Sequence, residues 1–400
     1  MAIRVKVGEF RIEPHIRQAV ERVLASERIS EGGETRDFEI AFANYVGMKH
    51  AVAVNSGTSA LIAGLMAMKS KGRKAVLTSP LTYIATVNSV VLAGMEPIFA
   101  DVDPVTFCIT GDAIAEVLES NHAKNIDMLL PVHLMGYVCD MNRINAIAKK
   151  RGLKVFEDSS QAHGSTYNGR RAGSMADASS FSFYIAHNIQ AGELGAFLTN
   201  DVEIARRVRK IKANGRLCDC VRCTRSEGKC PKFNIKKGDL DPRFLHDEIG
   251  FNFKTMEFPA AIAKAQIEIA DQIAEKRRRN VKMLNDLLDK HSDIFRLPVY
   301  SDNVSYLGYP IVIKDGKKLN RERLQVQLET NGVETRPLFG CIPLHQPAYS
   351  HLRKKYQGKL KNAEYLGRNG MYIGCHQYLT EDDLRFAADA FDKSLRELGV

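Results

Sequence analysis

The chain concentrates its chemistry where apolar runs stop. "KVFED" (154–158) is a strongly apolar run closed by Asp158. A carboxylate at the end of a buried strand has to be paired, and a protonated pyridine nitrogen would be one such partner. Gln161, in the following "SSQAHG", could touch the same ring from its edge. "NSGTSAL" (55–61) places Gly57 and Thr58 at a strand-to-helix junction, where free amides and the helix dipole favour a phosphate; plain helix capping explains the same letters. Tyr83, in "LTYIAT" (81–86), could cover a flat ring or sit in the core. Ser182, in "FSFY", could add a hydroxyl to a phosphate cup. It is followed by His187, whose imidazole can act as general acid or base near neutral pH.

A second group of reactive residues lies in "RLCDCVRCTRSEGKCPKF" (216–233), where Cys218, Cys220, Cys223 and Cys230 have the spacing C-x-C-x2-C-x6-C. Arg216, Arg222, Arg225, Lys229 and Lys232 bracket them. Thiols among so many cations ionise readily and make a plausible metal site, structural zinc being the plain reading. Cys108, Cys139, Cys341 and Cys375 are expected to be ordinary packing residues.

The elements that must position these groups follow from periodicity. "AVAVN" (51–55), "AVLTS" (75–79), "PIFAD" (97–101), "MLLPV" (128–132), "KVFED", "SSFSFY" (179–184) and "GAFLTN" (195–200) read as buried strands. Amphipathic stretches such as 59–70 and 141–150 lie between several of them. Such alternation implies an α/β fold with a mostly parallel sheet and helices on both faces, binding ligands at the carboxyl ends of its strands. Helical periodicity is lost over 214–248, which reads as an insert. A single long helix is expected over 260–291, leading into a smaller C-terminal α+β domain. The expected division is a large ligand-binding domain over 1–258 and a small domain over 259–400.

Composition narrows the function classes. Lysine and arginine number 57 against 47 aspartates and glutamates, a surplus of ten that suits a solvated basic surface or an anionic ligand. No nucleic-acid-binding motif is present. The longest uncharged stretch, 75–95, carries too many hydroxyl and amide side chains for a lipid-facing helix, and no export signal is visible. A cytoplasmic protein is expected, which argues against a disulfide framework for the eight cysteines.

In order and spacing, "FEIAFANYVGMKHAVAVNSGTSAL" (38–61), "GMEPIFADVDPVTF" (94–107), "PVHLMG" (131–136), "EDSSQAHGS" (157–165), "FSFYIAHNIQAGELGAFLTN" (181–200) and "IGFNF" (249–253) form a specific set. The set resembles the aspartate-aminotransferase-like, fold type I enzymes that use pyridoxal 5'-phosphate, and within them the DegT/DnrJ/EryC1/StrS family. The resemblance implies that Gly57, Thr58 and Ser182 hold the cofactor phosphate, that Tyr83 stacks on the ring, that Asp158 pairs with the pyridine nitrogen and that Gln161 meets the hydroxyl side. Asn252 matches an asparagine that reaches the phosphate of a neighbouring subunit, which implies a homodimer.

The family's aminotransferases carry a lysine where this chain has His187, and no lysine occurs between Lys154 and Lys210. Imidazole cannot make the stable covalent bond to the cofactor that the lysine makes; only proton transfer remains. The same replacement marks the nucleotide-sugar 3-dehydratases, among them an iron–sulfur enzyme acting on CDP-4-keto-6-deoxyglucose. By that resemblance pyridoxamine 5'-phosphate is the working cofactor, a 4-keto-sugar is the substrate, and the histidine moves the proton while the hydroxyl at carbon 3 leaves. Lys254, and the segment 334–349 with Arg336 and His345, resemble that branch, and His376 is a further candidate substrate contact. The iron–sulfur relative has a cysteine-rich insert with an opening C-x-C, which favours an iron–sulfur cluster over zinc and would require an electron-donating reductase. Another cluster ligand of that relative matches Ser160 here, so a wholly local set of four cysteines is expected. The alternatives are a sugar aminotransferase, native or lysine-replaced, and a catalytically inactive metal-binding scaffold.

Overall fold

A computed structural model of the protein describes residues 2–120, 123–218 and 244–400. The larger sheet takes seven strands: β1 (His50–Val54), β2 (Ala75–Thr78), β3 (Glu96–Phe99), β4 (Ile126–Leu130), β5 (Lys154–Asp158), β8 (Ala178–Ser182) and β9 (Gly195–Thr199). A short hairpin, β6 (Thr166–Tyr167) with β7 (Arg170–Arg171), stands between β5 and β8 in the chain. The strand order is β1-β9-β8-β5-β4-β2-β3. Neighbours from β8 through to β3 are parallel, while β9 runs antiparallel to both β1 and β8. The carboxyl ends of β1, β2, β4, β5 and β8 therefore share one edge, and β9 starts there.

Every residue of β2, β4 and β9 is buried, as expected for a sheet covered on both faces. Alternate side chains feed different layers. Val52 and Val54 pack with α3 (Gly57–Met68) and α7 (Val202–Ile211), whereas Ala51 and Ala53 join Phe38 and Phe42 of α2 (Gly33–Val46) on the other side. Ten of the twelve residues of α3 are buried, which explains why it is apolar almost all round rather than striped. The smaller sheet, ordered β10 (Phe295–Arg296), β11 (Tyr309–Ile313), β13 (Gly370–Ile373), β12 (Thr335–Pro337), is antiparallel throughout.

The expected single helix over 260–291 is two helices, Glu257–Ile267 and Ala270–Leu288. The break has a cause in the tertiary structure. Gln266 accepts a hydrogen bond from the Gln190 backbone amide at 3.0 Å, and its own side-chain amide donates to the Gln190 carbonyl. That pins the end of the first helix to the turn after β8. Ile269, at φ −114° and ψ 10°, then lets the chain change direction, so that the second helix runs beneath the smaller sheet.

Candidate active site

The loop after β1 enters α3 through Ser56, whose Oγ accepts from the Ser59 amide at 3.1 Å, while the Ala60 amide donates to Ser56 O at 3.1 Å. The cap is thus Ser56, which leaves the first-turn amides of Gly57 and Thr58 to face a ligand. Two close approaches shape this cradle. A Cβ on Gly57 would stand 2.5 Å from Ser182 Cβ, and one on Gly195 would stand 2.1 Å from Ser56 O. Only glycine lets the α3 entrance nest against the ends of β8 and β9, which brings the Gly57 and Thr58 amides beside Ser182.

Asp158, buried at the end of β5, is held from two directions. Its Oδ2 accepts from Thr86 Oγ1 at 2.8 Å; its Oδ1 accepts from Ser160 Oγ at 2.7 Å and the Ser160 amide at 3.2 Å. Thr86 Oγ1 also lies 2.9 Å from Thr82 Oγ1. These hydrogen bonds fix the orientation of the carboxyl group. Gln161 Oε1 accepts from the Met135 amide at 2.9 Å, which fixes the amide plane and leaves Nε2 as the end that can meet a ligand. Tyr83, at the entrance to α4 (Ile84–Leu92), is 59% exposed, so it is not a core tyrosine; its ring meets Phe339 edge-on at 6.1 Å. Phe339 belongs to a segment that bridges Leu81 through Cys341 and donates the Ile342 amide to Pro80 O at 2.7 Å. Residues 80–83 and 339–342 thus form one wall.

His187 lies in the turn after β8, its amide donating to Tyr184 O at 2.9 Å. The ring is half-buried, with Nδ1 turned inward and without a partner. Burial, and secondarily the Arg277 guanidinium, lower its pKa from 6.5 to about 4, so the imidazole is neutral at pH 7 and able to accept a proton.

Asn252 is exposed on the single chain and bridges Ala213 at the sheet margin, next to Phe253, whose carbonyl accepts from the Asn55 amide at 2.9 Å. It therefore lies on the outer side of the loop after β1. Lys254 is likewise exposed. Arg336 is exposed and paired with Glu334 at 2.5 Å. The His345 Nδ1 accepts from the Cys341 amide at 3.2 Å, a bond that closes its own turn. His376 is fully buried with neither ring nitrogen partnered. Of the cysteine set, Cys218 is a partly buried free thiol, and Cys220, Cys223 and Cys230 lie outside the described residues; among the described residues no three His, Cys, Asp or Glu side chains converge as a metal site. Cys108, Cys139, Cys341 and Cys375 are buried free thiols, as expected of packing residues.

Sequence reasoning missed Thr86 and Ser160 as the clamp on Asp158, and missed His163 and Arg277 behind His187. Thr86 stands 72 positions from Asp158, and its only local signal is its place one turn into the helix that follows Tyr83. His163 stood in view within "SSQAHG" but carried no spacing that pointed to His187.

The residues gathered here suit a ligand with a phosphate, a flat ring and a protonatable ring nitrogen. At the level of the whole chain, the protein is 33% identical over 398 residues to the GDP-perosamine synthase of Caulobacter vibrioides, covering 98% of each. It is 31% identical over 379 residues to the dTDP-4-dehydro-2,6-dideoxy-D-glucose 3-dehydratase of Saccharopolyspora spinosa, covering 91% of this chain and 80% of that one. Its fold matches that of the E. coli GDP-4-keto-6-deoxy-D-mannose-3-dehydratase with bound hydrated PLP at a TM-score of 0.84 and 23% identity, over 98% of this chain and 100% of the other. A profile of the DegT/DnrJ/EryC1/StrS aminotransferase family matches residues 11–391, and the chain belongs to that family.

Proposed function

We propose that this protein removes a hydroxyl, at carbon 3, from a nucleotide-linked 4-keto-sugar, with pyridoxamine 5'-phosphate as its working cofactor and His187 as its acid–base group. The observation that carries this reading is an imidazole, that of His187, at the turn where a transaminating member needs an amine. Lys212, the one fully buried lysine among the described residues, is engaged by Glu31 at 2.7 Å and Ala53 O at 2.9 Å. The residues present fit the cofactor: close packing of Gly57 on Ser182 brings the first amides of the helix beside a hydroxyl, and Asp158 is a buried carboxyl group held in one orientation.

Bound there, the cofactor would supply an electron sink that makes a proton beside it removable. The amides of Gly57 and Thr58 and the Ser182 hydroxyl would hold its phosphate. Asp158, kept in place by Thr86 and Ser160, would face the ring nitrogen, with Gln161 at the ring edge and Tyr83 over its face. His187, uncharged at neutral pH, accepts a proton on Nε2 and returns it to the departing oxygen. Asn252, exposed beside the phosphate loop, suits a reach into the site of a second copy, and the working unit would be a homodimer.

A second reading, sugar transamination, is favoured by the 33% identity to a GDP-perosamine synthase. The two separate in one experiment. The purified protein is incubated with pyridoxamine phosphate and a panel of GDP-, CDP- and dTDP-linked 4-keto-sugars, with and without glutamate, and products are weighed by mass spectrometry. A released sugar lighter by one oxygen, its hydroxyl replaced by hydrogen while pyridoxamine phosphate is converted to pyridoxal phosphate and ammonia, supports the first reading; gain of an amine without that loss supports transamination and overturns it. For Cys218, Cys220, Cys223 and Cys230 we propose an iron–sulfur cluster, on the resemblance of this insert and its opening C-x-C to those of the iron–sulfur dehydratase. Anaerobic protein should be brown with iron and sulfide in proportion; a colourless protein with one zinc per chain refutes the cluster.

A further inference from the structure

Behind His187 the structure gathers buried polar atoms without a close hydrogen-bond partner. These are His187 Nδ1, both ring nitrogens of His163, Asn188 Oδ1, and Nε and Nη2 of Arg277, whose guanidinium also interacts with the Cys375 thiol. His163 is 2% exposed, Asn188 2% and Arg277 0%. They share one neighbourhood. The His163 and His187 rings are 6.2 Å apart between centroids, inclined at 48°. Asn188 Nδ2 donates to Ser305 Oγ at 2.6 Å, and Arg277 Nη1 donates to the carbonyls of Tyr306 at 3.1 Å and Leu307 at 2.9 Å. A Cβ on Gly164, next to His163, would lie 3.6 Å both from Ser305 Oγ and from Ala274, one helical turn before Arg277. His163 also meets three rings: Phe183 at 5.0 Å, Phe181 at 5.1 Å and Phe42 at 6.1 Å.

A buried polar atom stripped of water and left unpaired is destabilising. A water with two to four polar partners is the usual remedy inside a fold. The donor inventory then limits how such a water is held. The guanidinium can only donate and Asn188 Oδ1 can only accept. A single water takes a hydrogen bond from Arg277, gives one to Asn188, and has one donor and one acceptor left for the two imidazoles.

We propose that His163 is the positioning residue of His187: through one shared buried water it accepts the hydrogen bond that His187 donates from Nδ1, which leaves the Nε2 lone pair facing the cleft. The direction of that bond rests on the reading of His187 as the proton acceptor. A base working through Nε2 must carry its resting hydrogen on Nδ1, and free histidine prefers the opposite tautomer, so the protein has to impose it. Fixing the tautomer of a working histidine through the far ring nitrogen is a general device in proteins. Here the partner is a neutral imidazole rather than a carboxylate. His163 is kept uncharged by burial, and secondarily by His187 and Arg277, so it accepts without drawing the proton away from His187.

The test reads the tautomer directly, by long-range proton–nitrogen correlation on cofactor-free protein labelled at histidine. Wild type should show His187 as the Nδ1–H form. His163→Phe, which suits the surrounding rings, should return His187 to a population dominated by Nε2–H and lower kcat for water loss about tenfold, with KM for the sugar unchanged. His163→Gln, whose carbonyl can accept the same bond, should recover the Nδ1–H form and most of the rate. An Nε2–H form in wild type, or an unaltered tautomer in folded His163→Phe, overturns the pairing. A protein that dehydrates no keto-sugar while its His187 tautomer still responds to His163→Phe would refute the dehydratase reading and leave the pairing intact.

Discussion

The apposition of Gly57 and Ser182 can be tested as a piece of steric bookkeeping. In Gly57→Ala the new methyl would stand 2.5 Å from Ser182 Cβ, 3.2 Å from its Cα and 3.1 Å from its Oγ. Carbon atoms in contact prefer about 3.5–4.0 Å, so roughly 1 Å of separation must be found. β8 is held on both sides, parallel to β5 and antiparallel to β9, so the entrance to α3 is the part that yields. Overpacking of this kind costs about 1–3 kcal/mol, and a loss of 2 kcal/mol lowers the folded-to-unfolded ratio roughly thirtyfold. The same displacement carries the Gly57 and Thr58 amides off their mark, and a misplacement near 1 Å is worth up to about a hundredfold in a positioned site. Urea unfolding at constant m-value reads the first effect; absorbance titration with pyridoxal phosphate reads the second. Ser182→Gly removes the opposing Cβ, so Gly57→Ala combined with Ser182→Gly should recover most of the stability that Gly57→Ala loses, while the missing hydroxyl keeps cofactor affinity low. A folded Gly57→Ala protein within about 0.5 kcal/mol of wild type, or a double variant no more stable than the additive sum, refutes the close approach and the cradle built on it.

Three further outcomes follow from the same geometry. Thr86→Val keeps its shape but removes the 2.8 Å bond to Asp158; hydrogen bonds to charged groups contribute about 1.5–3 kcal/mol, so cofactor affinity should fall at least tenfold by absorbance titration, and an unchanged affinity would mean that Asp158 needs no clamp. His187→Asn should lower the rate of water loss about a hundredfold or more while leaving cofactor binding close to wild type, as measured by mass spectrometry and equilibrium dialysis. For His376, burial lowers the pKa from 6.5 to about 4. The unfolded chain then binds more protons between those values, so stability is full above pH 7 and declines as pH falls through this window, by about 2 kcal/mol at pH 5. Urea titrations at both pH values should show that loss in wild type and a smaller one in His376→Leu.

The chemical letters were local and therefore legible. Strand ends announce themselves by where a period-2 or fully apolar run stops, which is why the positions of Asp158, Gly57, Thr58, Ser182 and Tyr83 at one edge are legible in the sequence. His187 stood out because its neighbours in "FSFYIAHNIQAGELG" follow a family pattern that it breaks. The limits of the strands in the larger sheet shifted by at most two residues, because hydrophobic periodicity fades where a chain leaves the core.

Tertiary packing decided everything that depends on groups distant in the chain. The helical pattern over 260–291 is continuous in sequence, and only the grip of Gln266 on Gln190 interrupts it. β9 reads like its parallel neighbours, yet it runs the other way, because a buried run carries no mark of direction. The Thr86 clamp on Asp158, the Phe339 edge against Tyr83 and the His163 ring beside that of His187 join residues dozens to hundreds of positions apart. Residue type and spacing settle which groups are able to do chemistry; burial and the partners that folding brings settle their charge, orientation and tautomer, since those depend on solvent removed and hydrogen bonds made only once the chain has closed on itself.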